Sequence, residues 1–253
     1  MGSKPKFAVC LACQIGFLMS LPLMAHAQLE VFRPCSTTGQ VVKHEDYWLS
    51  YSEHDEQAEW VYYVLTPARV KGTVKRKNNF RADDLVTTGS ATLADYAGSG
   101  YDRGHLCAAA DNTHSSEAMA ASFLMGNMSP QVPGFNRGVW KRLENLFRQW
   151  TTTRDSIYVV TGGVLTAVKD TIGVNGVTVP AGYYKIALHV ATDTMAIAFL
   201  LPNASSKAPL TDFLVSIDSV EALTGIDFFY LLPNQETFEA GINAAAWWPV
   251  GDK

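Results

Sequence analysis

One short run of this 253-residue chain concentrates groups that can move protons and hold anions. Tyr101-Asp102-Arg103-Gly104-His105-Leu106 sets an acid, a guanidinium, a glycine and an imidazole side by side. Histidine is the side chain whose ordinary pKa lies near neutrality, so His105 can take a proton from water at physiological pH. Arg103 offers a forked donor that suits phosphate. Gly104 lets the backbone turn tightly or approach another group closely. A surface loop carrying an ion pair and a histidine would show the same residues, so this run does not fix a function by itself.

Two more clusters follow it. The first is Gly126-Asn127-Met128-Ser129-Pro130-Gln131, and the second is Asn136-Arg137-Gly138-Val139-Trp140-Lys141-Arg142-Leu143-Glu144. Val139, Trp140, Leu143, Leu146, Phe147 and Trp150 recur at helical spacing, which predicts a helix from about Asn136 to Thr151. On that helix Asn136, Trp140 and Glu144 share one side, with Arg148 a further turn along. Trp140 is the odd member of a polar row. It either packs into the core or stacks on a base.

Together the three clusters resemble the DNA/RNA non-specific endonucleases of the ββα-metal superfamily. The family signature is Asp-Arg-Gly-His, an aliphatic residue, three free positions, then Ala or Gly; here Asp102 to Leu106 are followed by Cys107-Ala108-Ala109 and Ala110. The preceding Asp95 to Tyr101 segment is similar to the family, as are Asn127 to Gln131 and Asn136 to Trp140 with Leu143-Glu144. The resemblance is strong over residues 95–150 and diffuse elsewhere.

The resemblance implies a role for each residue. His105 corresponds to the general base that activates the attacking water. Asn136 corresponds to the only direct protein ligand of a metal, and Glu144 to a residue that holds metal-bound waters. Arg103 and Arg148 correspond to phosphate-contacting arginines. Asp102 and Asn127 correspond to polar residues that support the site. A further arginine comes from upstream of the signature, with Arg76 the better match and Arg81 the alternative. The implied cofactor is Mg²⁺, with Mn²⁺ or another divalent cation possible, and the implied substrates are DNA and RNA. Relatives often dimerise, so a homodimer is a further implication.

Elementary chemistry agrees with that assignment. A phosphodiester is an anion and resists hydroxide. An enzyme must supply the nucleophile, neutralise the transition state and support the leaving oxygen. A hard cation held by one neutral amide oxygen keeps its full charge and open positions for phosphate. Phosphate contacts position a nucleic acid without reading its bases, which fits cleavage without sequence preference. The rival readings are an exported metal-dependent phosphodiesterase of narrower substrate range and a non-catalytic nucleic-acid-binding relative.

The elements that must position these residues come next. Residues 46–53 and 59–66 are aromatic and β-branched, and predict strands. Residues 115–126 suggest a helix capped by Ser115 or Ser116. The segment 127–135 predicts a loop broken by Pro130, Pro133 and Gly134. Strands are predicted at 157–161, 177–190 and 195–201, and a helix at 209–223 with Leu210, Phe213, Leu214 and Ile217 on its face. The tail, with DFFYLL and Trp247-Trp248, predicts core or edge packing. Strands, then helices, then strands point to an α+β fold: a central antiparallel β-sheet flanked by helices around a ββα-metal core.

The N-terminus adds an address. Lys4 and Lys6, an apolar run over residues 7–24 and Ala25-His26-Ala27 form the pattern of a signal peptide spanning 1–27. An uncleaved anchor is the alternative, and Gln14 and Pro22 argue against it. The expectation is a single endonuclease domain over 28–253, secreted or periplasmic, with no membrane contact after cleavage. Removing Lys4 and Lys6 leaves 18 basic against 24 acidic residues, a net charge of −6. Such a chain binds polyanions only through a local field. Residues 69–81, RVKGTVKRKNNFR, carry six basic residues and no acid, and are either a solvated loop or that field. Cys35 and Cys107 remain after cleavage, and the sequence leaves their pairing undecided.

Overall fold

Aromatic and β-branched runs become strands because they suit a pleated, half-buried surface. The computed structural model describes residues 30–190 and 194–242, so the expected signal peptide over 1–27 and Trp247-Trp248 lie outside the described residues. Strands β1 (Gln40–Lys43), β2 (Trp48–Ser52) and β3 (Gln57–Leu65) form an antiparallel meander. Strands β4 (Asp102–His105) and β5 (Met128–Gln131) form a separate ribbon. Strand β6 (Ile157–Gly163) returns to lie beside β3. A second ribbon is built from β7 (Val168–Ile172) and β8 (Val177–Pro180). Strands β9 (Gly182–His189), β10 (Met195–Pro202) and β11 (Leu214–Val215) complete a seven-stranded sheet ordered β1-β2-β3-β6-β9-β10-β11. All its pairings are antiparallel, in line with the expected α+β class.

Three helices matter for the site and its support: α1 (Ser116–Ala121), α2 (Lys141–Trp150) and α3 (Ile217–Thr224). Side chains alternate across each strand, so the large sheet buries both faces. On one face Leu49, Val61, Tyr63, Val159, Ala187 and Phe199 pack with Leu143, Leu146, Phe147 and Trp150 of α2. On the other, Trp48, Trp60, Tyr62, Val160, Tyr184 and Ile186 pack with Ile217 and Val220 of α3 and with Phe228 and Phe229. Each large apolar side chain of α2 gains roughly 1.5–3 kcal/mol on burial, before the entropy of ordering it is charged. That face therefore holds α2 at a fixed distance from the sheet, and the helix's other face is free to carry polar groups.

Several elements differ from the sequence expectation. Residues 128–131 were expected as loop because of Pro130, yet they form β5, with Pro130 opposite Arg103. A proline's missing N–H is tolerated in a two-stranded ribbon, where each strand has a free edge. The stretch 177–190 divides at Ala181, so β8 pairs with β7 while β9 joins the large sheet. The expected helix over 209–223 is instead a single 3-10 turn (Leu210–Phe213), then β11, then α3 with Ser216 as N-cap. Leu214 and Val215 are drawn out of the helix by pairing with Phe199 and Ala198. The helix expected over 115–126 ends at Ala121, and Met125–Asn127 form their own 3-10 turn.

Candidate active site

Strand β4, strand β5 and helix α2 stand together as a ββα unit. Between them and the basic loop opens a cavity of about 620 Å³. Asp102, Arg103, His105, Asn136, Glu144, Arg148 and Arg76 all line it. Asn127 is the one expected site residue that does not reach the cavity.

Strand β4 supplies Asp102, Arg103 and His105. Its register against β5 places Asp102 opposite Gln131 and His105 opposite Met128. Gly104 permits this close pairing: a Cβ there would meet the Gln131 side chain at 2.2 Å. His105 is only 7% exposed. Its ring packs edge-on against Phe123 at 4.8 Å and lies 5.8 Å from Phe80. Nε2 is buried and has no hydrogen-bond partner among the described residues. Burial, reinforced by the Arg76 charge, pushes the imidazole down to about 3. His105 is therefore neutral throughout the physiological range.

The chain leaving His105 is clamped by Asn127. Its Oδ1 accepts from the Cys107 N–H at 2.8 Å, and its Nδ2 donates to the carbonyls of Cys107 at 2.9 Å and Ser122 at 2.8 Å. Its own carbonyl accepts from the Leu106 N–H at 3.0 Å. Asn127 is fully buried, so its part in the site is to shape the loop after β4.

Asn136 sits just before α2, in a wide helical turn over Phe135–Trp140. Gly138, at φ −108° and ψ −107°, breaks the helical path there. Such wide turns recur at functional sites because they re-aim side chains. The effect is visible at Trp140, which a regular helix would place in line with Asn136 and Glu144. It is fully buried against Phe135 and Tyr183, which removes base stacking as its role. Asn136 and Glu144 remain on the cavity wall.

Asp102 orients Asn136. Its Oδ2 accepts from the Asn136 Nδ2 at 2.9 Å, while Arg137 donates to both its oxygens at 2.8 and 2.6 Å. Although burial works the other way, the bonds from Arg137 and Asn136 hold this carboxyl below the usual aspartate range. The amide nitrogen is thereby committed, and the Asn136 oxygen has no protein donor among the described residues. Glu144 accepts no hydrogen bond from them either. Burial pushes its carboxyl up to about 7, opposed by Lys185 and Arg148.

The cations divide into tied and untied groups. Arg148 donates to Asp111 Oδ1 and to Asn145 Oδ1, both at 2.6 Å. Arg103 lies over the Phe80 ring at 4.4 Å, and its Nε is buried with no partner among the described residues. Arg76 donates to Asn78 Oδ1 at 2.9 Å and lies over Phe123 at 4.8 Å. Arg81 is turned away, with Nη1 on the Ala120 carbonyl at 2.8 Å, so Arg76 is the upstream arginine that the fold brings to the cavity. Arg69 also leaves the basic stretch: it donates to the carbonyls of Asp46, Val64 and Asp111 and to Asn112, anchoring the loop. Lys71, Lys75 and Lys77 are exposed.

Sequence reasoning missed Asp111, Tyr63 and Lys185 behind the cavity wall. Lys185 did carry a signal, because a lysine interrupts the apolar run Tyr183-Tyr184-Lys185-Ile186-Ala187. Cys35 and Cys107 are not joined by a disulfide. Cys107 is buried, burial pushes its thiol up to about 12, and its sulfur accepts from Asn112 Nδ2 at 3.3 Å. It is an inert packing residue.

Comparison with known proteins agrees with this geometry. The sequence model of the DNA/RNA non-specific endonuclease family matches residues 29–235. Nuclease C1 of Cunninghamella echinulata var. echinulata is 36% identical over 211 residues, covering 76% of this chain and 84% of that protein. Human mitochondrial endonuclease G is 38% identical over 205 residues, covering 75% and 69% respectively. A crystal structure of EndoG in complex with its inhibitor EndoGI superposes with a TM-score of 0.75 at 29% identity, covering 85% of this chain and 95% of that one.

Proposed function

Because this chain belongs to the DNA/RNA non-specific endonuclease family, we propose that it hydrolyses DNA and RNA at the ββα cavity, with His105 as general base and Asn136 as the direct ligand of Mg²⁺. The observation that carries this reading is the convergence of an imidazole, an amide oxygen, two carboxylates and four arginines on one cavity.

The donor set fits a hard divalent cation. Asp102 takes the amide nitrogen of Asn136 and so turns its oxygen outward, where it meets no protein donor among the described residues. The Glu144 carboxyl, half-buried and without a hydrogen bond among the described residues, suits the waters of a hydrated ion. Oxygen donors and few protein ligands are what Mg²⁺ prefers, with Mn²⁺ the chemical alternative. When bound, the ion supplies Lewis-acid stabilisation of the phosphate and the leaving oxygen.

The chain's own residues do the rest. Arg103, Arg76 and Arg148 bind the scissile phosphate and its neighbours and add charge stabilisation as the pentacovalent state forms. His105 accepts the proton of the attacking water. With Nε2 sealed in the protein, the accepting atom is Nδ1. A pKa near 3 gives a weak resting base, and a bound phosphate anion beside the ring raises its proton affinity as the reaction proceeds. Phe80 and Phe123 hold the ring in place and exclude water from its buried edge. Phosphate recognition without base readout accounts for the absence of sequence preference.

We place residues 28–253 as the mature enzyme, released by cleavage after Ala27 and acting outside the cytoplasm. Among the described residues no helix is long and apolar enough to cross a membrane. The test is digestion of plasmid and of RNA, with and without chelator, by the wild type and by the His105→Ala and Asn136→Ala variants. A general base is worth roughly 10²–10⁴-fold, so His105→Ala should fall by that factor with the fold retained. Asn136→Ala should need far more Mg²⁺, and chelator should stop all cleavage. Wild-type nicking by either variant would remove that residue from the mechanism.

A further inference from the structure

Lys185 is fully buried in the centre of β9. A buried lysine is costly, and a purely structural core would place an aliphatic residue there, as it does at Ile186, Ala187 and Leu188. The ammonium instead occupies a box of three aromatic rings. Tyr63, Trp140 and Phe147 each have their ring centre 5.4 Å from Nζ. Burial holds its pKa below the usual lysine range, while Asp111 and Glu144 pull it back up.

Among the described residues, the one hydrogen bond of that ammonium leads out of the core. Nζ donates to Tyr63 Oη at 3.1 Å. Tyr63, itself fully buried on β3, donates onward to Asp111 Oδ2 at 2.9 Å. Asp111, 1% exposed, accepts through Oδ1 from Arg148 Nη1 at 2.6 Å. Arg148 lines the cavity. The donors and acceptors run in one direction, Lys185 to Tyr63 to Asp111, where they meet the guanidinium. The chain links two strands of the sheet, the 3-10 turn after β4 and helix α2.

We propose that Lys185 and Tyr63 are positioning residues for Arg148, forming with Asp111 a buried relay that fixes its guanidinium against the scissile phosphate. The proposal rests on the nuclease reading above. Its physical content is orientational. Tyr63 Oη and Arg148 each take one oxygen of Asp111, which fixes the carboxylate plane. Lys185 fixes Tyr63 by occupying the lone pair of a hydroxyl whose proton is already committed. Lys185 and Arg148 both face the buried Asp111 carboxylate, so loss of Lys185 would also remove positive charge from behind the phosphate site.

A merely structural role predicts something different. Removing one buried charge from among its counter-charges costs stability, so on a merely structural role Lys185→Met would unfold more easily while the folded fraction kept wild-type kcat/KM and affinity. The relay predicts a functional loss that depends on Arg148. The experiment is a double-mutant cycle. Lys185→Met and Tyr63→Phe are each made in the wild type and in Arg148→Ala. Two quantities are read: kcat/KM on plasmid with Mg²⁺, and Kd for a short fluorescein-labelled duplex in chelator, which senses phosphate contact without turnover. Each single variant should lose roughly tenfold in kcat/KM and several-fold in affinity, the scale of a loosened charge-assisted hydrogen bond. In the Arg148→Ala background the same changes should add almost nothing. Equal losses in both backgrounds, or wild-type kinetics and affinity in the single variants, would overturn the relay. If Lys185→Met fails to fold, Tyr63→Phe carries the test alone, since it removes only a hydroxyl. A wild type inactive on both DNA and RNA would instead strike at the nuclease reading, so the two failures are distinguishable.

Discussion

At the scale of single residues, the site is a matter of which atoms are already spoken for. Asp102 commits the Asn136 nitrogen and thereby presents its oxygen. Asp102→Ala should keep the fold but free that amide to rotate. Loss of such a supporting partner typically weakens metal binding by roughly 10- to 100-fold. A Mg²⁺ titration of cleavage checks this, and an unchanged half-saturating concentration would show that Asp102 serves Arg137 alone. His105 makes a second prediction, through stability. Unfolded, its imidazole takes a proton below its ordinary value of 6.5; folded, it does so only near 3. The unfolded state thus binds more protons inside that window, so stability falls as pH drops through it. His105→Asn removes this titration, and its unfolding midpoint should decline less between pH 6.5 and pH 3 than the wild type's. Parallel pH profiles for the two proteins in urea would refute the burial of the ring.

At the scale of elements, catalytic geometry depends on residues that never meet substrate. Asn127 holds the N–H and carbonyl of Cys107, just after His105, and the carbonyl of Ser122 at the end of α1. Asn127→Ala leaves those groups buried and unpaired, at a cost on the order of 1–3 kcal/mol each if none finds water. The melting temperature should drop by several degrees, and activity should fall with it, because the β4 end carrying His105 loses its clamp. Near-wild-type melting would mean water replaces the amide. Much of this was legible beforehand. Asp-Arg-Gly-His and the Asn136 and Glu144 positions stand in sequence order, and the strands of the large sheet announce themselves through aromatic and β-branched runs. What could not be read was pairing. Pro130 looks like a loop residue until β4 lies beside it. Leu214 and Val215 look helical until β10 captures them. Trp140 falls in the polar row at regular spacing, and only the wide turn at Gly138 sends it to the core. Asp111 and Tyr63 lie 48 residues apart, and nothing local shows that they share a hydrogen bond.

At the scale of the whole molecule, the puzzle is an acidic protein that handles polyanions. A net charge of −4 over the full sequence repels nucleic acid at long range, and salt screens that repulsion within about 10 Å at 0.1 M. Attraction must come from a local array. Arg76, Arg103, Arg148 and Lys141 line the cavity, and Lys71, Lys75 and Lys77 extend the positive region along the exposed loop that delivers Arg76. The arginines are held by rings and amides close to the chemistry, whereas the lysines are solvated and free to follow a backbone of any sequence. That division of labour has a measurable signature. Each lysine that neutralises a phosphate contributes up to roughly 0.9 to the slope of log affinity against log salt on duplex DNA. Changing Lys71, Lys75 and Lys77 together to Ala should therefore flatten the salt dependence of duplex binding and cleavage while sparing turnover at saturating substrate. The comparison is made from low to physiological ionic strength at constant free Mg²⁺. A slope equal to the wild type's would confine nucleic-acid contact to the cavity arginines and make the lysine loop a solvated carrier for Arg76.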